Sequence, residues 1–203
     1  MIEDEYIQRI RLATELSTKK IIAIHRKSKD ETENEDNIYE YESLFRAMIY
    51  HELMNLGIYF GDVTLDNPIN SKTKELKSKK PDIWVENTES KESYVMEIKT
   101  IRQNNKSKII KQIDESAGNT IINDIKKLSS LMREMPTAVK GIMVVSYQSP
   151  NFTEDDDPVD LMENEIRKII KKIKPPGNLM FILSSEDSCK VFKTMEMLKK
   201  QVN

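Results

Sequence analysis

The sequence predicts an α/β fold with a central mixed sheet flanked by helices, on three observations. Segments with helical spacing of apolar residues alternate with short apolar runs of strand length. Two of those runs lie close enough to form an antiparallel hairpin, and two later ones each follow a helix, the arrangement of parallel strands.

Residues 5–27 read as a helix on the recurrence of Ile7, Ile10, Ala13, Thr14, Ile21 and Ile24. The polar stretch 28–37 after it has no periodicity and is expected to be a loop, so the first helix is expected to be an appendage. The expected division is therefore 1–37, a helix with an acidic loop, and 38–203, the main domain. A second helix spans 39–56, where Tyr41, Leu44, Phe45, Met48, Ile49, Leu53 and Leu56 make one stripe and Gly57 supplies the stop.

A strand is expected over 58–65, then a polar excursion over 66–80. Residues 82–85 and 94–100 form the hairpin across the turn-like 86–93. A helix follows at 120–135, and the almost continuous apolar run 141–147 reads as a strand buried on both faces. A helix over 159–174 stops at Pro175, Pro176 and Gly177. A second buried strand covers 179–184, and a terminal helix covers 190–201.

At 203 residues the chain is long enough for one well-packed domain, and its 33% charged and 38% hydrophobic residues suit a folded, helix-rich protein. Residues 1–11 are acidic, unlike a secretory signal, and no apolar run reaches the roughly 18 residues of a membrane span. The single cysteine, Cys189, cannot form an internal disulfide and has no His or Asp pattern around it, so a reducing cytoplasm and an inert thiol are expected. The net charge of −2 excludes a protein that coats nucleic acid by bulk charge. Basic runs at 72–80, 99–111 and 167–174 leave room for local contacts, although each also reads as a solvated face.

The residues that bear chemistry lie in the hairpin. Asp82 opens its first strand, and Glu97 and Lys99 lie in its second. Strand alternation turns Glu97 and Lys99 to one face with Val95, about 6 to 7 Å apart, while Tyr94, Met96 and Ile98 turn to the other. A charged pair in so apolar a strand costs desolvation energy unless something compensates it. A divalent cation is one compensation, and carboxylates without histidine or thiolate suit Mg²⁺ or Mn²⁺ rather than zinc. The plainer account is an edge strand whose charges are solvated.

Pro81-Asp82 followed by Glu97-Ile98-Lys99 resembles the signature of the PD-(D/E)xK nucleases, the restriction-endonuclease-like superfamily. The resemblance spans about residues 39–147 and implies a three-layer core of helix, three strands, helix and strand. It implies a Mg²⁺-dependent DNA endonuclease, possible with Mn²⁺, in which Asp82, Glu97 and the Ile98 carbonyl are metal ligands and Lys99 positions the water. The family often adds a glutamate from the preceding helix, and Glu42 is similar in position. The apolar stripe of that helix is centred near Glu52, with Glu42 about 70° to one side. Glu42 is preferred because it sits in the early turns, where the helix dipole favours an acid, and Glu52 is held in reserve as a buried partner for a cation.

Arg102, Lys106, Lys108, Lys111, Lys126 and Lys127 are placed to reach phosphates, and His25 and His51 have no partners at ligand spacing. Cleavage of two strands needs two reaction centres, and an uncovered apolar face on the first helix would supply a homodimer contact. The rival expectation is a protein of the same fold that binds nucleic acid or assembles without turnover.

Overall fold

A computed structural model describes residues 4–28, 38–58, 63–65, 81–87, 92–114, 121–135, 139–150, 152 and 157–199. Its elements are α1 (Glu5–Ser28), α2 (Ile38–Asn55), β1 (Val63–Leu65), β2 (Ile83–Asn87), β3 (Glu92–Ile101), α3 (Lys106–Asp114), α4 (Ile121–Glu134), β4 (Val139–Tyr147), α5 (Pro158–Ile173), β5 (Met180–Ser184), β6 (Cys189–Lys193) and α6 (Thr194–Lys199). The six strands form one sheet in sequence order. β1 pairs antiparallel with β2, and β2 antiparallel with β3; β3, β4 and β5 run parallel, and β6 returns antiparallel to β5.

This is the expected α/β arrangement with a mixed sheet and helices on both faces. Parallel pairing of β3 with β4 and of β4 with β5 requires crossovers, which α3, α4 and α5 supply. These helices bury Ile109, Ile113, Ile125, Leu128, Ile166 and Ile170 against Val95, Met143, Val145 and Phe181 of one sheet face. On the other face, Ile10, Ile21, Phe45, Ile49 and Leu53 of α1 and α2 pack on Ile83, Met96, Ile98, Val144 and Ile182. Burial on both faces explains why β4 and β5 read as unbroken apolar runs.

α1 is not the appendage expected of it. Its buried side includes Thr14, Ser17 and Thr18; Thr14 Oγ1 donates to Ile10 O of its own helix, and Thr18 Oγ1 lies 2.9 Å from Ser146 Oγ of β4. Its first turn is pinned to the sheet by Asp4, which accepts hydrogen bonds from Tyr94 Oη and Lys140 Nζ, both at 2.7 Å. The apolar face that suggested a dimer is thus spent within the protomer, leaving Leu12 and Ile24 among its exposed residues.

Three other differences concern short elements. α3 overlaps the end of a stretch read as a basic run, and the expected terminal helix is instead β6 followed by α6. Of the strand expected over 58–65, residues 63–65 form β1 while Ile58 lies outside any strand, and the polar excursion 66–80 lies outside the described residues.

Local stops follow from the chain. Gly57 takes φ 84°, open to glycine at little cost, and its amide donates to Met54 O. At the other end of the chain Asp157 caps α5, accepting from the Val159 amide at 2.8 Å. Gly141 serves packing: a Cβ there would lie 2.6 Å from Met132 Sδ, so its absence lets α4 settle onto β4. No described helix is long and apolar enough to cross a membrane.

Candidate functional site

Pro81 and Asp82 immediately precede β2, and the register of β2 on β3 pairs Ile83 with Met96. Asp82 therefore lies beside the β3 segment that carries Glu97 and Lys99. Its amide donates to Met96 O at 3.1 Å, and its Oδ2 accepts the Ile98 amide at 2.7 Å. Its Oδ1 lies 3.2 Å from Arg46 Nη1 of α2. The carboxylate thus replaces a backbone acceptor where β2 begins, and two of its contacts are charge-assisted.

Glu97 and Lys99 share a face of β3, as strand alternation requires, with Val95 in the same apolar cluster and the Ile98 side chain buried on the opposite face. Glu97 is 2% exposed. Burial, and next the charge of Asp82, push its carboxyl up to about 8, against the opposing effect of Lys127. Lys127 Nζ of α4 contacts Glu97 Oε1 at 2.5 Å.

Lys99 bridges two helices from opposite faces of the sheet. Its Nζ is 3.2 Å from Glu42 Oε1 of α2 and 3.4 Å from Asp124 Oδ2 of α4. Burial opposes the charge on Lys99, but Asp124 and Glu42 outweigh it and hold the ammonium above the usual lysine value. Lys99 is therefore a cation here, suited to orienting an oxygen and not to taking a proton. Burial raises both the Glu42 and the Asp124 carboxyl, with Lys99 opposing in each case.

Asp82, Glu97, Lys99 and Glu42 are thus brought together, whereas Glu52 is elsewhere. Glu52 is buried against Lys20 of α1 at 2.5 Å, and that hydrogen bond lowers its carboxyl. Asp124 was not singled out in the sequence, since it reads there as one acid in an amphipathic helix. Lys127 turns into the site rather than lying along a phosphate path. Arg102 lies near His25, while Lys106, Lys108, Lys111 and Lys126 are exposed on α3 and α4.

His51 is exposed beside Glu52, and His25 is buried. The Cys189 thiol is pushed up, chiefly by burial, which makes it a poor nucleophile.

The donor set suits a hard cation in kind, being all carboxylate. Glu97 Oε1 and Asp124 Oδ2 are buried, and each meets a lysine ammonium, Lys127 at 2.5 Å and Lys99 at 3.4 Å. In arrangement, among the described residues no three acids, histidines or cysteines converge as a metal-holding group. The ammonium and guanidinium groups of Lys99, Lys127 and Arg46 stand between the acids instead.

Comparison of the chain with models of protein families, with curated proteins and with solved structures gives no match.

Proposed function

We propose that this chain is a metal-dependent DNA endonuclease with a restriction-endonuclease-like core, hydrolysing phosphodiester bonds. The observation that supports the reading best is the meeting of Asp82, Glu97 and Lys99 at one end of the β2–β3 hairpin, with Glu42 against Lys99. Such a constellation is hard to account for as scaffolding alone, since burying several acids is costly even when they are paired.

In this reading Asp82 and Glu97, assisted by Glu42 and the Ile98 carbonyl, would hold Mg²⁺ or Mn²⁺. Such a cation would supply charge neutralisation at the phosphate and a more acidic water. Lys99, kept protonated by Glu42 and Asp124, orients the oxygens of water and phosphate by donation. Glu42, whose carboxyl is raised by burial, fixes the Lys99 ammonium from the α2 side at 3.2 Å. Arg46 and the Ile98 amide keep Asp82 aimed across the hairpin. The protein would act in the cytoplasm, and a homodimer would supply the two centres that double-strand cleavage needs.

A second reading, a protein that binds nucleic acid or assembles without turnover, draws on the pairing of each acid with a cationic side chain. Incubation of supercoiled plasmid with the protein and Mg²⁺, then with EDTA, separates the two. Nicked or linear DNA only with the cation supports the nuclease, and intact plasmid in both supports the inactive protein.

A further inference from the structure

The outer face of α1, turned away from the sheet, has no part in the reaction proposed above. The inner side, with Ile7, Ile10, Ala13 and Ile21, is spent on the core, and Leu12 stands on the outer side, 42% exposed. Leu16, one turn on, is partly exposed. Glu5, Gln8, Arg9, Arg11, Leu12 and Glu15 line a groove of about 340 Å³ on this surface. A projecting leucine beside an open groove offers a second helix both a ridge and a recess to pack against.

The charges around Leu12 are ordered. Two ion pairs flank it, each with the acid preceding the base: Glu5 with Arg9, and Glu15 with Lys19 at 2.8 Å. Glu5 and Lys19 lie seven residues to either side of Leu12, and Arg9 and Glu15 three. The outer face therefore reads acid, base, leucine, acid, base. A second α1 laid antiparallel, Leu12 against Leu12, meets it with opposite charge at every level, Lys19 at the level of Glu5 and Glu15 at that of Arg9. A parallel copy sets each charge against its own kind.

Residues seven apart on a helix differ in direction by about 20°, so Glu5, Leu12 and Lys19 share one line. Glu5 and Lys19 are also the more exposed members of their pairs. A carboxylate accepts from more than one donor and an ammonium donates three times, so the internal pairs extend into networks without breaking.

We propose that the outer face of α1 is the contact between two copies of this chain, crossing antiparallel on a two-fold axis at Leu12. A two-fold contact needs a surface that is its own complement, and this surface is one. The proposal rests on the homodimer of the reading above and names its surface, while its evidence is independent of the chemistry at Asp82, Glu97 and Lys99.

The test is sedimentation equilibrium of the full chain at micromolar concentration, without metal or nucleic acid. Thermal unfolding checks each variant, because Arg9 also donates to Gly57 O at 3.3 Å. The wild type is expected at twice the 23.7 kDa of one chain. Exchanging one pair, Glu15→Lys with Lys19→Glu, keeps an ion pair within the helix but meets the antiparallel copy with like charges. That variant should bind its copy at least about tenfold more weakly. Exchanging the other pair as well, Glu5→Lys with Arg9→Glu, makes the face its own complement again and should restore the dimer. Should an exchanged chain fail to fold, Leu12→Gln carries the comparison and should weaken association. A monomeric wild type, a single-pair exchange that associates like the wild type, or a second exchange that restores nothing overturns the proposal. A monomer that nicks plasmid in Mg²⁺ leaves the nuclease reading standing, and a dimer of the expected behaviour that never cuts overturns that reading alone.

Discussion

The Ile98 amide donates to Asp82 Oδ2 at 2.7 Å, so the two halves of the candidate site are joined by a hydrogen bond before any ligand is considered. Asp82 fastens the start of β2 to β3 and at the same time holds Arg46 of α2. Its removal should therefore be felt in stability as well as in chemistry. Asp82→Ala is expected to lose about 1.5–3 kcal/mol, the range for a hydrogen bond to a charged group. Asp82→Asn keeps an acceptor for the amide and should lose less. Urea unfolding of both variants checks this, and equal losses would mean that the bond to Ile98 contributes nothing.

The two glutamates of α2 should separate by phenotype. Glu42→Gln is expected to weaken cleavage strongly with little change in stability, since Glu42 meets Lys99 at the site. Glu52→Gln should leave cleavage near wild type and cost up to about 1 kcal/mol, because its partner Lys20 is half exposed and solvent screens the pair. Plasmid cleavage beside thermal unfolding distinguishes them, and the reverse pattern would move the helix carboxylate from Glu42 to Glu52.

Stability without metal should depend on pH through opposing groups. His25 is lowered from 6.5 to about 4, by burial first and then by the charge of Arg102, so its contribution is present above pH 6.5 and lost as pH falls through 4. Glu97 is raised from 4.5 to about 8, so its contribution is present below pH 4.5 and lost as pH rises through 8. Glu42 and Asp124 are shifted in the same direction as Glu97. Between pH 6.5 and 8 the acids act without the histidine, and unfolding in EDTA should become easier as pH rises. Glu97→Gln should flatten that limb, and a limb unchanged in this variant would contradict the assignment.

Gly141 governs how closely α4 approaches the sheet. Gly141→Ala would set a Cβ 2.6 Å from Met132 Sδ and 3.0 Å from Leu179 Cδ1. The expected loss is about 1–3 kcal/mol, as for other overpacked cores. Because α4 also carries Asp124 and Lys127, activity should fall further than at a control site of equal destabilisation. A wild-type melting temperature for Gly141→Ala would show that the contact is easily relieved.

Much of this site was legible because it lies on a hairpin. Alternation alone puts Glu97 and Lys99 on one face, and the short separation of the two strands brings Asp82 beside them. Asp124 and Lys127 belong to a helix whose flank meets β3 only after a crossover, a relation that spacing does not contain. α3 was hidden by its lysines, although Asn105 caps it by accepting the Lys108 amide at 3.0 Å and Ile109 and Ile113 bury one face. β6 was read as helix because its pattern is short, and pairing with β5, with Phe192 stacked on Phe181 at 5.7 Å, decides it. Thr18 concealed the role of α1 for a related reason, since its buried partner Ser146 lies 128 positions away.

The central claim is that Asp82, Glu97 and Lys99 act together on a phosphodiester with a divalent cation. The most direct measurement is the rate of plasmid cleavage in Mg²⁺ by wild type, Glu97→Gln and Lys99→Ala, each at the same folded concentration verified by circular dichroism. The account predicts cleavage by the wild type that EDTA stops, and losses of at least about a hundredfold in either variant, as for removal of a group that acts in the transition state. Cleavage by Lys99→Ala or Glu97→Gln at the wild-type rate, or by the wild type in EDTA, would contradict it.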